Sequence, residues 1–210
     1  VRKLNRIIVF DSAVTGHHPE YISHLIDYLS GARLNKDYFF IVSEEFKIEF
    51  YSVVSKTENN SNIFWEFIPS VKVAQLHKMT LVKRSFAELA LLVEYAAKLK
   101  VKNVYLLYFN IFQLALIFKR PNFNVIGILF LQYLRMPKDG LNNKFKFFRK
   151  NLITKLYTFN SKIETVFILN DLQSVNALKS KFRKQIFKML PDPIPMNEEE
   201  AKFDLYKHYN

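Results

Sequence analysis

Short apolar runs alternate along this chain with longer stretches whose apolar residues recur every three or four positions. Arg6–Asp11 is a β-branched apolar run between charged ends and predicts a strand. Pro19–Ser30 carries Ile22, Leu25, Ile26 and Leu29 at helical spacing, with Pro19 and Glu20 opening the helix and Gly31 ending it. The same reading predicts strands at Tyr38–Ser43, Ile63–Ile68, Asn103–Tyr108, Asn124–Phe130, Thr165–Leu169 and Ile186–Leu190. Leu76–Leu99 reads as one long helix or two. Ile111–Phe118, Asn142–Phe159 and Leu172–Phe182 read as further helices. Residues 44–62 fit neither period, and Glu58–Asn62 is a loop.

Several of these strands are apolar on both faces, so both faces must be covered. That requirement predicts a Rossmann-like three-layer α/β/α fold around a mainly parallel sheet. Right-handed crossovers then bring every strand's carboxyl end to one edge, where open α/β sheets bind ligands. The connections are short up to residue 190, which predicts one domain over 1–190. Pro191-Asp-Pro-Ile-Pro195 can continue neither a helix nor a central strand. Residues 191–210 therefore read as a linker towards a further carboxyl-terminal domain.

Composition narrows the chemistry. The chain has 210 residues, half of them hydrophobic, enough for a full core. It has no cysteine, which excludes disulfides and thiolate metal sites. Gly16 is the lone glycine of the first strand–helix turn, where a dinucleotide fingerprint needs several. The apolar stretch Val104–Phe118 is broken by Asn110 and Gln113 and is shorter than the ~20 residues of a spanning helix. Charge is uneven. Residues 1–100 hold 13 basic and 11 acidic side chains, and residues 101–210 hold 18 and 8. An anionic neighbour suits the second half: a phosphate-bearing ligand, an anionic membrane or nucleic acid. Ordinary solvated lysines would give the same count.

Three groups of residues could carry chemistry. The first is the loop Gly16-His17-His18. Gly16 can turn the chain at positive φ, and His17 or His18 can bind a phosphate or hydroxyl or act as a general base. Neither shares ligand spacing with His24, His77 or His208, so no metal is expected. The second is the set of strand ends: Tyr108, Asn110, Gln132, Arg135, Asn170 and Asp171 should converge on the cleft that holds the histidines. Asn170 or Asp171 would also serve as the N-cap of the helix that follows. The third is the segment 144–162. Phe145, Phe148, Leu152, Leu156 and Phe159 form a stripe flanked by Lys144, Lys146, Arg149, Lys150, Lys155 and Lys162, with no acidic residue. Such a helix lies on anionic lipid or buries its stripe in its own core. Phe147 and Tyr157 fall off the stripe and are expected to be exposed.

Phe10-Asp11, Gly16-His-His-Pro-Glu-Tyr-Ile22-Ser-His-Leu25, Val166-Phe-Ile-Leu-Asn-Asp171 and Leu190-Pro-Asp-Pro-Ile194 together resemble the amino-terminal half of bacterial GT-B glycosyltransferases. These enzymes transfer sugars from nucleotide sugars between two Rossmann-like domains. The resemblance implies that this domain aligns the acceptor, with Gly16, Tyr108, Asn110, Gln132, Arg135, Asn170 and Asp171 on the acceptor side. It holds no cofactor itself. A donor domain for the nucleotide sugar would follow Pro195, and residues 1–210 alone would be inactive. In an inverting enzyme His17 or His18 would be the base. The acceptor would be a sugar or a lipid-linked sugar, in bacterial polysaccharide or glycoconjugate synthesis. The protein would be cytoplasmic and peripheral on the inner face of the membrane, with Lys144, Lys146, Arg149 and Lys150 towards the lipid. No nucleic acid is expected. A basic nucleic-acid-binding domain and a stand-alone small-molecule-binding domain are the alternatives; salt-sensitive binding to DNA would mark the former.

Overall fold

The computed structural model describes residues 6–13, 18–32, 34–130, 140–182 and 186–191. Strands and helices run in the order β1 (Arg6–Phe10), α1 (His18–Gly31), β2 (Asp37–Ser43), α2 (Glu44–Glu49), α3 (Tyr51–Ser55), β3 (Ile63–Ile68), α4 (Ser70–Lys78) and α5 (Leu81–Leu99). They continue as β4 (Asn103–Leu106), α6 (Phe109–Phe118), β5 (Asn124–Leu129), α7 (Gly140–Tyr157), β6 (Ile163–Leu169), α8 (Leu172–Phe182) and β7 (Phe187–Leu190).

The seven strands form one sheet in the order β3-β2-β1-β4-β5-β6-β7, and every pairing is parallel. This is a Rossmann-like α/β fold. Strand order reverses direction at β1, which makes the carboxyl ends of β1 and β4 the topological switch point of the sheet.

Strand side chains alternate between two cores, as a period of two requires. Ile8, Phe10, Val104, Leu106, Val125, Leu129, Val166 and Ile168 face α4, α5, α6 and α8. Val9, Phe40, Val42 and Ile128 face the other way, with Ile22, Ile26 and Leu29 of α1 and Phe46 of α2. On that second side, among the described residues, helices cover β1–β3. Over β4–β7 it forms a cavity of about 580 Å³ walled by Tyr105, Ile126, Phe167 and Leu190 and bordered by Tyr21 and Leu25 of α1.

The structure resolves the open points of the sequence. Residues 44–62 begin with two short helices; Ser43 caps the first by accepting a hydrogen bond from the Phe46 amide. Leu76–Leu99 is two helices, parted at Met79-Thr80 where both residues are extended. Lys100 ends α5 in the left-handed region (φ 54°), a cap conformation that releases the chain into β4. β4 is shorter than expected, because Leu107-Tyr108 turns into α6 two residues early. Gly127 is required in β5: a Cβ there would lie 2.4 Å from the ring of Phe109.

Candidate functional site

The site is assembled at the carboxyl end of β1. The backbone of Asp11 extends the strand by donating its amide to Ile41 of β2. Its side chain is 2% exposed and doubly engaged. Oδ1 accepts the Ala13 amide at 3.0 Å, and Oδ2 meets His18 Nδ1 at 2.6 Å. His18 is the first residue of α1, and Pro19 behind it is preorganised for a first helical turn. Strand end and helix start are thus tied by one charge-assisted hydrogen bond.

Aromatic rings fix the imidazole. Tyr108, at the N-cap of α6, meets it edge-on at 4.9 Å, and Phe130, just past β5, stacks on it at 5.6 Å. Tyr21 packs edge-on against Phe130 from α1. The His18 side chain keeps 14% of its surface exposed, so the ring is held without being sealed. A carboxylate only accepts, so Nδ1 carries a proton, and in the neutral ring Nε2 is the nitrogen left to accept one.

A second buried carboxylate supports the loop. Glu88 on α5 is 1% exposed; Oε2 accepts the Ser12 hydroxyl at 3.2 Å and Oε1 accepts Arg84 Nε at 2.6 Å. Burial is the main cause of a raised pKa at Glu88, and the negative charge of Asp11 adds to it; the hydrogen bonds and charge of Arg84 pull the other way. Asp11 and Ser12 are therefore anchored side by side, one to α1 and one to α5.

Asn110 lies on the first turn of α6, and its Oδ1 accepts the Phe130 amide at 3.2 Å. Tyr108, Asn110 and His18 thus meet around Phe130. The other strand-end candidates lie elsewhere. Asp171 is 1% exposed and caps α8: it accepts the Ser174 amide at 2.9 Å and the Ser174 hydroxyl. Asn170 precedes it in the left-handed region (φ 43°), its amide bonded to Leu190. Both follow β6, three strands and about 14 Å from β1. Gly16, His17, Gln132 and Arg135 lie outside the described residues.

α7 turns its stripe outward, one of the two arrangements its pattern allows. Phe145, Phe148, Leu152, Leu156 and Phe159 are exposed, 39–66% each. Tyr157, expected on the surface, is fully buried against Phe109, and Phe147 packs against the core. Lys144, Lys146 and Arg149 are exposed beside the stripe, and Lys150 is half-buried. Burial and the neighbouring Arg149 push the Lys150 pKa down.

Sequence reasoning named the histidine but missed the aspartate, the Glu88 support and Phe130. The signals were present: Asp11 closes an apolar run, and Glu88 falls at helical spacing with Ser85, Leu89 and Leu92 on the buried face of α5.

The described residues contain no group of three or more His, Asp or Glu able to hold a metal, and no helix long and apolar enough to cross a membrane. The chain matches no protein-family model, no curated protein and no solved structure.

Proposed function

We propose that this domain presents an acceptor hydroxyl for glycosyl transfer from a nucleotide sugar, with His18 as general base. The observation that carries the reading is the Asp11–His18 pair, 2.6 Å apart at the topological switch point of a parallel sheet. With Asp11 on Nδ1, Nε2 takes the proton as the acceptor oxygen bonds to the anomeric carbon. The bond from that carbon to the nucleoside diphosphate breaks in the same step, which inverts the centre. Asp11 stabilises the imidazolium formed, the role an aspartate has in any Asp–His pair of this geometry. A separate donor-binding domain would hold the diphosphate. Asn110 and Tyr108 border the acceptor side, and the exposed stripe of α7 with its flanking cations supports peripheral contact with an anionic membrane.

The test is transfer of radiolabelled sugar from UDP- and GDP-sugars by the complete gene product onto lipid and glycan extracts. His18→Ala is expected to cost about 10²-fold or more, and residues 1–210 alone should show no transfer. Full activity in His18→Ala removes the base; no transfer from any nucleotide sugar removes the reaction.

A further inference from the structure

A second cavity, of about 590 Å³, lies on the opposite side of the sheet from the apolar one, where α5, α6 and α7 meet. It is open at the start of α5. Thr80 occupies the N-cap there without making a side-chain cap, and the first turn has no acidic residue. The first intrahelical bond runs from Arg84 to Thr80, so the amides of Leu81, Val82 and Lys83 have no partner within the helix. They carry the positive end of a 19-residue helix. Arg149 and Lys150 of α7 line the same cavity.

The side chain that singles this place out is Gln113. It is 6% exposed, lines the cavity from α6, and makes no hydrogen bond among the described residues. An amide that faces a polar cavity and has no hydrogen-bond partner is free to bind a ligand there. Asn110, one turn earlier, also lines it, with Nδ2 buried and unpartnered while Oδ1 holds the Phe130 amide. No acidic residue lines the cavity among the described residues. Lys150 is held partly out of water beside Arg149, a pairing of cations that an anion would relieve.

We propose that this cavity binds a phosphate group through the α5 N-terminus, Arg149, Lys150 and the amides of Gln113 and Asn110. Helix N-termini and arginine are suited to the three or four oxygens of a phosphate, and buried amides donate to the rest. Arg149 also borders the exposed stripe of α7, so a phosphate held here can belong to a lipid lying against that stripe or to a soluble phosphoester. The inference stands on the residues of the cavity and not on glycosyl transfer.

The experiment is ¹H–¹⁵N NMR of the protein titrated with inorganic phosphate and with glycerol 3-phosphate to about 20 mM. A parallel arm measures pelleting with phosphatidylcholine vesicles doped with phosphatidic acid, against vesicles doped to equal charge with phosphatidylserine. Saturable shifts are expected at the Gln113 side-chain amide and at Leu81–Lys83. Gln113→Leu, which changes no charge, should weaken binding about fivefold or more. Arg149→Gln should do the same, and Lys119→Gln should not. Shifts with the soluble phosphates assign a soluble ligand. A preference for phosphatidic acid alone, lost in Gln113→Leu, assigns a lipid phosphate. No saturable shift and no preference overturn the site, and so does equal weakening in Lys119→Gln, which would reduce it to diffuse surface charge. If Gln113→Leu fails to fold, the Arg149 and Lys119 variants still decide.

Discussion

Two aspartates stand at carboxyl ends of parallel strands, equally buried, and do opposite things. Asp171 follows β6 and turns back on its own helix, where Ser174 supplies both a backbone and a hydroxyl donor. Both of these hydrogen bonds serve the first turn of α8. Asp11 follows β1 and satisfies only one oxygen locally, on the Ala13 amide; the other is spent on a side chain seven residues away. The lesson is that the same position at the ligand edge of a sheet gives two carboxylates different partners. What separates the two is whether the following helix begins within reach as a donor. α8 starts directly after Asp171, whereas α1 starts seven residues after Asp11 and presents an imidazole.

The comparison can be broken most sharply by activity. Asp11→Asn keeps an acceptor for the Ala13 amide but removes the charge opposite His18. Under the proposed function, glycosyl transfer is expected to fall about 10²-fold or more, with a small change in stability. Asp171→Asn in the same assay should stay near wild type. Comparable losses in the two variants would erase the distinction.

Stability should show the reverse ranking. Asp171→Ala removes a buried cap and leaves the Ser174 amide without that acceptor, at a cost of about 1–2 kcal/mol in the unfolding free energy measured with urea. A cost near zero would mean that α8 is closed by other donors and acceptors.

The smallest effect is a slope. Glu88 has a raised pKa in the fold, so the folded state binds its proton more tightly than the unfolded chain does. Its contribution to stability is fully present below the ordinary carboxyl range, about pH 4. It is lost as pH rises through the raised value. Glu88→Gln has no such proton to lose. The stability of wild type minus that of Glu88→Gln, measured by urea unfolding across this range, should fall with rising pH. A difference that rises instead would show that the Arg84 ion pair outweighs the burial of the charge.

The sheet was largely legible in the sequence because buried parallel strands are short, β-branched apolar runs bounded by polar and turn residues. Tyr38–Ser43 and Ile63–Ile68 fall within a residue of the strands observed. α7 was legible as a helix with its stripe either outward or inward, and Tyr157 was misplaced on its surface. Its strongest apolar stripe faces outward, and the buried side is made of Phe147, Ile153, Thr154 and Tyr157. Periodicity measures how apolar residues are spaced; it carries no information on which face meets a partner. The ring of Tyr157 is buried because Phe109 waits for it across the gap from α6, a contact between residues 48 positions apart.

The site divides in the same way. His18 could be named from its place after a strand, since that edge follows from right-handed crossovers alone. Asp11 as its partner required the path of the loop between them. Tyr108 and Phe130 required the strand order, in which β4 is the immediate neighbour of β1 and β5 the next. The local sequence fixed the periods, the breaks and the edge on which polar residues gather, because these depend on neighbours a few positions apart. Only the tertiary structure decided which polar residues meet, since that depends on strand order and helix rotation, which are set by packing between segments distant in the chain.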